Sequence, residues 1–159
     1  YGHESVSSDI CRRILQRLKA DGETIRRVSL LVKQHGIEWK DDRRFLKRRL
    51  QRFGVENCRM MLMTRTADLS GQHEKSEEGG LPRWRSQLCR IEEEIDMILK
   101  EQMCFSRSSL AIDGRDLMAD GVPAGPELGE ILEQLLEMVI EEELPNEKEA
   151  LLEKSRQIR

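Results

Sequence analysis

Aromatic side chains are scarce in this sequence: two Trp, one Tyr and three Phe in 159 residues. A core built from it must be filled by Leu, Ile, Val and Met. No apolar run approaches the roughly 20 residues that cross a bilayer, which points away from a membrane. A charged-then-apolar leader is also missing, so no secretory signal is read. The four cysteines, Cys11, Cys58, Cys89 and Cys104, form no C-x-x-C pair. That argues against a zinc site and against a secreted disulfide framework. Each falls in a helical pattern and reads as a small core residue in a reducing compartment, most simply the cytoplasm. There is no P-loop pattern, no defensible Ser-His-Asp arrangement and no paired-carboxylate signature, so no catalytic residue and no metal is assigned. The chain starts at Tyr1 rather than Met, which gives the expectation of a fragment of a longer protein.

Charge is abundant. Asp, Glu, Lys and Arg make up 36% of the chain, yet the net charge is only −3. The two signs are separated along the sequence. Residues 1–70 hold 16 Lys/Arg against 9 Asp/Glu, and residues 120–159 hold 4 against 11. A basic front meets something anionic, or it is simply a solvated helical surface.

Apolar spacing predicts helices throughout. Ser7-Ser8-Asp9 reads as a helix start, with Ile10, Ile14, Leu15 and Leu18 following at helical intervals. Asp21-Gly22 reads as its stop. A second helix is expected from about Glu23 to Gln34, with Ile25, Val28, Leu31 and Val32 on one face. Asp41-Asp42 opens a third, which Gly54 closes, and a fourth covers about Glu56 to Leu69. Pro82 suits the first turn of a long helix with a stripe of Trp84, Leu88, Ile91, Ile95 and Leu99. Asp116 to Ala119 reads as a short helix. Pro126 opens another, with Leu128, Ile131, Leu132, Leu135, Leu136 and Val139 inward; a last one carries Leu151 and Leu152. The expected fold is all-α: an antiparallel helical bundle over 1–70, a polar linker loop over 71–81, and a smaller helical body and tail over 82–159.

Two features could bind an anion. On a wheel of about 100° per residue, Phe45, Leu46, Leu50 and Phe53 share one face of the third helix. Arg44, Lys47 and Arg48 cluster opposite, with Arg43 and Arg52 at the borders. Five cations on one short helix repel one another unless an anion is near, and a phosphate backbone rewards such clustering. Arg49 points to the apolar side and needs a carboxylate; Asp68 is the candidate. The second feature is "GVPAGPELG", where Gly121, Gly125 and Gly129 precede or begin a helix. Free N–H groups at such a start can grip phosphate. The plainer alternative is a tight turn and a close helix contact.

The segment "LAIDGRDLMADGVPAGPELGEILEQLLEMVIEEELPNEKEALL" resembles the C-terminal body and tail of bacterial CCA-adding tRNA nucleotidyltransferases. Leu110, Ile112, Gly114, Asp116, Leu117, Gly121, Gly125, Pro126, Gly129, Leu132, Leu136, Asn146, Leu151 and Leu152 match in one order. The front half resembles the end of the HD-like helical region of these enzymes, with His3 in the "GHE" element, then His35 and Asp68. The earlier His and the His-Asp pair of that fold are absent, and Gly36 stands where Asp often follows the His. The catalytic head has no counterpart either. The resemblance implies helical modules that hold the acceptor and T arms of tRNA, while a head elsewhere adds C, C and A using Mg²⁺ with CTP and ATP. That agrees with the charge cluster of the third helix, so Arg43, Arg44, Lys47, Arg48 and Arg52, and after them Arg83 and Arg85, are the expected phosphate contacts, alongside Gly121, Gly125 and Gly129. An HD-type phosphohydrolase remnant stays open. So does a helical interaction module, a homodimer included, for which the Trp84–Leu99 stripe is the best support.

Overall fold

The computed structural model describes residues 2–72, 83–101 and 105–158. Among them it is all-α, as expected. The helices are α1 (His3–Arg17), α2 (Gly22–Gln34), α3 (Arg43–Phe53), α4 (Val55–Gln72), α5 (Arg83–Lys100), α6 (Gly114–Ala119), α7 (Pro126–Ile140) and α8 (Lys148–Ile158), with a 3-10 turn at Arg107–Ser109. The expected loop at 71–81 begins inside α4, which runs to Gln72. Its remaining residues, with His73, Pro82 and Cys104, lie outside the described residues. The chain divides into two compact units: residues 1–41 with 53–93, and residues 42–52 with 94–159.

In the first unit α1 packs along α2. Two expected boundaries shift. Ser7 to Asp9 lie within α1, which starts at His3; Ser8 is buried and its hydroxyl donates to the Ser29 carbonyl on α2 at 2.8 Å. Asp21 does not end α1. It caps α2, accepting from the backbone N–H of Glu23 at 3.0 Å and Thr24 at 2.9 Å. Closure of α1 falls to Lys19, in the left-handed region at φ 56°, with Lys19 N–H bonded to the Gln16 carbonyl and Ala20 N–H to that of Leu15. The core of this unit is Trp39, Cys58, Met61, Leu62, Leu88 and Ile91. Of the apolar set predicted on α1, Leu15 is half-buried while Ile10, Ile14 and Leu18 face solvent.

The second unit packs α6 and α8 against α7, whose predicted stripe is buried or half-buried as expected. Leu110, Ile112, Leu117, Val122 and Leu151 complete the core. Leu110 to Ile112 forms no strand. Asn146 takes the place of a partner strand: its Oδ1 accepts from Ala111 N–H and its Nδ2 donates to the Ser109 carbonyl, both at 2.8 Å. Asp113 and Asp116 form a reciprocal capping box at the start of α6. Gly121 ends α6 at φ 93°, where a side chain would be strained; its N–H bonds the Met118 carbonyl and Val122 N–H the Leu117 carbonyl, each at 3.0 Å. A Cβ on Gly114 would lie 3.1 Å from Leu128 Cδ2, so the absent side chain is what lets α6 approach α7.

Two ion pairs link α6 to α8: Lys148 with Asp116 at 2.5 Å and a forked Arg156 with Asp120. The Lys148 hydrogen bond, then the backbone N–H of Asp113, holds the Asp116 carboxyl below its ordinary pKa. A carboxyl depressed on folding stabilises the fold above its unfolded value of about 3.9, and that contribution is lost as pH falls through the folded value. Thermal melts should therefore fall as pH drops below about 4, and Lys148→Met should flatten that fall. An unchanged slope in the variant would remove Asp116 as a source of acid lability.

Candidate nucleic-acid interface

α3 carries the densest cation cluster, so its surroundings decide what those charges do. The side chain of Asp42 caps it, accepting from Phe45 N–H at 2.7 Å. Leu46 and Leu50 are buried as expected; Phe45 and Phe53 are half-buried. The opposite face is not a free solvated surface. Lys47 is itself buried, only 7% of its side chain being exposed, with Nζ 3.3 Å from Glu142 Oε1. Arg43 is paired with Glu94 and lies 3.4 Å from Glu101. Arg44 lies 3.7 Å from Glu142, and Arg48 Nε is 2.5 Å from Glu141 Oε1. Gln51 donates to Glu133 at 2.9 Å, and the other oxygen of that carboxylate takes Arg107 at 2.6 Å. Hydrogen bonding to Glu94, and its charge, push the Arg43 pKa up.

These contacts correct the reasoning that led to α3. An anion is indeed required, and the glutamates after α7 and on α5 supply it from within the same unit. Arg44 and Arg48 remain more than half exposed. Arg52 is exposed and borders a groove of about 400 Å³ with Arg48, Gln51, Glu137, Ile140 and Glu141, in which the charges of the two signs are equal in number. The guanidinium of Arg49 stacks on the Phe45 ring, 4.8 Å from its centroid, and Asp68 receives Arg65 at 3.1 Å.

The glycines have local explanations. Gly121 closes α6, as described above. Gly125 is the cap residue of α7 in extended conformation, and the first turn holds Pro126, which offers no N–H, and the acidic Glu127. Gly129 lies under Arg107, whose Nη1 would be 3.8 Å from an added Cβ, on that side chain's path to Glu133. The turn accounts for Gly121, whereas a Cβ would meet nothing within 4 Å at Gly125 and only ordinary contact at Gly129.

Arg83 and Arg85 differ from the α3 cations. Both are exposed in the first turn of α5, a helix of 18 residues with no acidic residue in that turn. Neither forms an ion pair among the described residues. Two cations at a helix N-terminus oppose the helix dipole, so a bound anion there would relieve two unfavourable terms at once. Arg85 also borders a groove of about 400 Å³ with Met63, Thr66, Ala67, Leu88, Cys89 and Glu92.

The histidines meet edge to face, with ring centroids 5.7 Å apart for His3 and His35, and His35 Nδ1 is 2.7 Å from the Val32 carbonyl oxygen. Among the described residues no three His, Cys, Asp or Glu side chains converge to hold a metal ion, and no helix is long and apolar enough to cross a membrane.

Comparison with known proteins agrees with the motifs. Residues 4–155 match the family model described as tRNA nucleotidyltransferase domain 2, putative. An A-adding tRNA nucleotidyltransferase of Deinococcus radiodurans is 31% identical over 142 residues, which cover 86% of this chain and 30% of that protein. A CCA-adding enzyme of Levilactobacillus brevis is 51% identical over 47 residues, 30% of this chain and 12% of that protein. The chain thus spans less than a third of either relative. No solved structure matches. With nearly its whole length matched, this chain belongs to the tRNA nucleotidyltransferase domain 2 family.

Proposed function

We propose that this chain is the tRNA-binding part of a CCA-adding or closely related nucleotidyltransferase. It holds the acceptor and T arms and positions the tRNA 3′ end for a catalytic head carried by the rest of a longer protein. Holding the reacting end in place is itself worth several orders of magnitude in rate. Mg²⁺ with CTP or ATP would serve the head. The part proposed for this chain is binding and orientation.

The observation that carries the RNA contact is the pair Arg83 and Arg85, two exposed cations at a helix start with no carboxylate partner among the described residues. Cations of this kind bind sugar-phosphate without reading sequence. The test is filter binding of the 159-residue chain to intact tRNA, to a minihelix of acceptor and T arms, and to an anticodon-arm hairpin. The minihelix should bind as well as tRNA and the hairpin at least tenfold more weakly. Equal affinity for all three would refute the proposed recognition of the acceptor end.

A further inference from the structure

Helix α1 leaves an apolar ridge uncovered. Val6, Ile10, Ile14 and Leu18, four residues apart, are 59%, 44%, 44% and 67% exposed. One flank of the ridge, Ser7, Cys11 and Leu15, is half-buried. The other flank is Ser5, Asp9, Arg13 and Arg17, all exposed, and none of its three charged residues forms an ion pair among the described residues. Ile10, Arg13, Ile14 and Arg17 together border a shallow groove of about 290 Å³.

We infer that this face pairs two copies of the chain, with their α1 helices antiparallel. Side chains spaced by four form the ridge that interdigitates with its like when helices cross at about 50°. A two-fold axis between Ile10 and Ile14 brings Ile10 of one copy to Ile14 of the other, and Val6 to Leu18. The same axis sets the exposed flank against itself in reverse, so Asp9 of each copy faces Arg13 and Arg17 of the other. The flank changes sign along its length, which makes it self-complementary in this orientation alone. A parallel two-fold pairing would set this flank against the uncharged flank of Ser7, Cys11 and Leu15 and leave its charges without partners. A two-fold contact also requires one surface to fit itself, and this one does by shape and by charge. A single helix face is smaller than the roughly 800 Å² per partner of a standard interface, so the dimer is a weak one.

Sedimentation equilibrium of the 159-residue chain, from micromolar to millimolar concentration at low salt, tests the assignment. A monomer–dimer equilibrium should appear. Ile10→Asp with Ile14→Asp should abolish it, circular dichroism confirming that these surface changes leave the helices intact. Asp9→Arg alone should weaken association several-fold. Adding Arg13→Asp and Arg17→Asp to it should recover most of the loss, because with all three charges inverted the flank is again complementary to itself. A monomer at every concentration overturns the proposal, as does a dimer indifferent to Ile10 and Ile14. Failure of Arg13→Asp with Arg17→Asp to rescue Asp9→Arg overturns the antiparallel geometry, and with it the two-fold pairing. None of these readings depends on RNA, so they stand apart from the proposed tRNA contact.

Discussion

Arg83→Ala with Arg85→Ala is expected to lower tRNA affinity by about ten- to a hundredfold at low salt, and to make the dependence of log affinity on log salt shallower by about one per arginine. Each arginine lost from a phosphate contact removes one counterion-release event, so affinity and salt slope fall together. Arg44→Ala with Arg48→Ala serves as the contrast. Those guanidiniums already face Glu142 and Glu141, so RNA would have to displace a carboxylate held in the same unit. Affinity should stay within about twofold of the parent chain, since one anion is exchanged for another with little net gain. The reverse ordering, with the α3 pair dominant, would return the interface to α3 and show that its carboxylates yield to phosphate.

Glu142→Ala is expected to cost about 2–3 kcal/mol, measured by urea denaturation, because it leaves the buried Lys47 ammonium without its carboxylate. The figure sits at the low end for breaking such a pair, since Glu142 is itself about half exposed and water can partly take its place. Lys47→Met should be within about 1 kcal/mol of neutral, because the buried charge leaves together with its need for a partner. Glu142 has a second property that separates two substitutions at the same position. Its backbone lies in the left-handed region, φ 62°, where it closes α7 through its own N–H to Val139 and that of Glu143 to Met138. Glycine relaxes that conformation, so Glu142→Gly should cost about 1 kcal/mol less than Glu142→Ala. If alanine and glycine cost the same, the left-handed backbone contributes no strain. If Glu142→Ala costs no more than Lys47→Met, the Lys47 ammonium reaches water.

Much of the fold was written in local pattern. The stripe of α7 and the inward residues of α5 are side chains repeating every three or four positions, and their burial follows from helix geometry alone. Gly121 was legible as a turn residue, and it closes α6 in a left-handed conformation that few other residues accept. Family membership was also readable, because fourteen positions in one order survive without any knowledge of contacts. Capping was less so. Ser7-Ser8-Asp9 has the composition of a helix start, but Ser8 is committed to Ser29, twenty-one residues away.

By itself, then, the sequence determined the helices, their apolar faces and the family. The fate of the charges was decided by the tertiary structure. Periodicity places Arg44, Lys47 and Arg48 on one side of α3, but it cannot say what lies opposite. Coulomb attraction acts through space, and the glutamates that neutralise α3 stand about ninety residues further along the chain. The basic front and acidic back looked like a call for an external anion; for α3, the back answers the front within one folded unit.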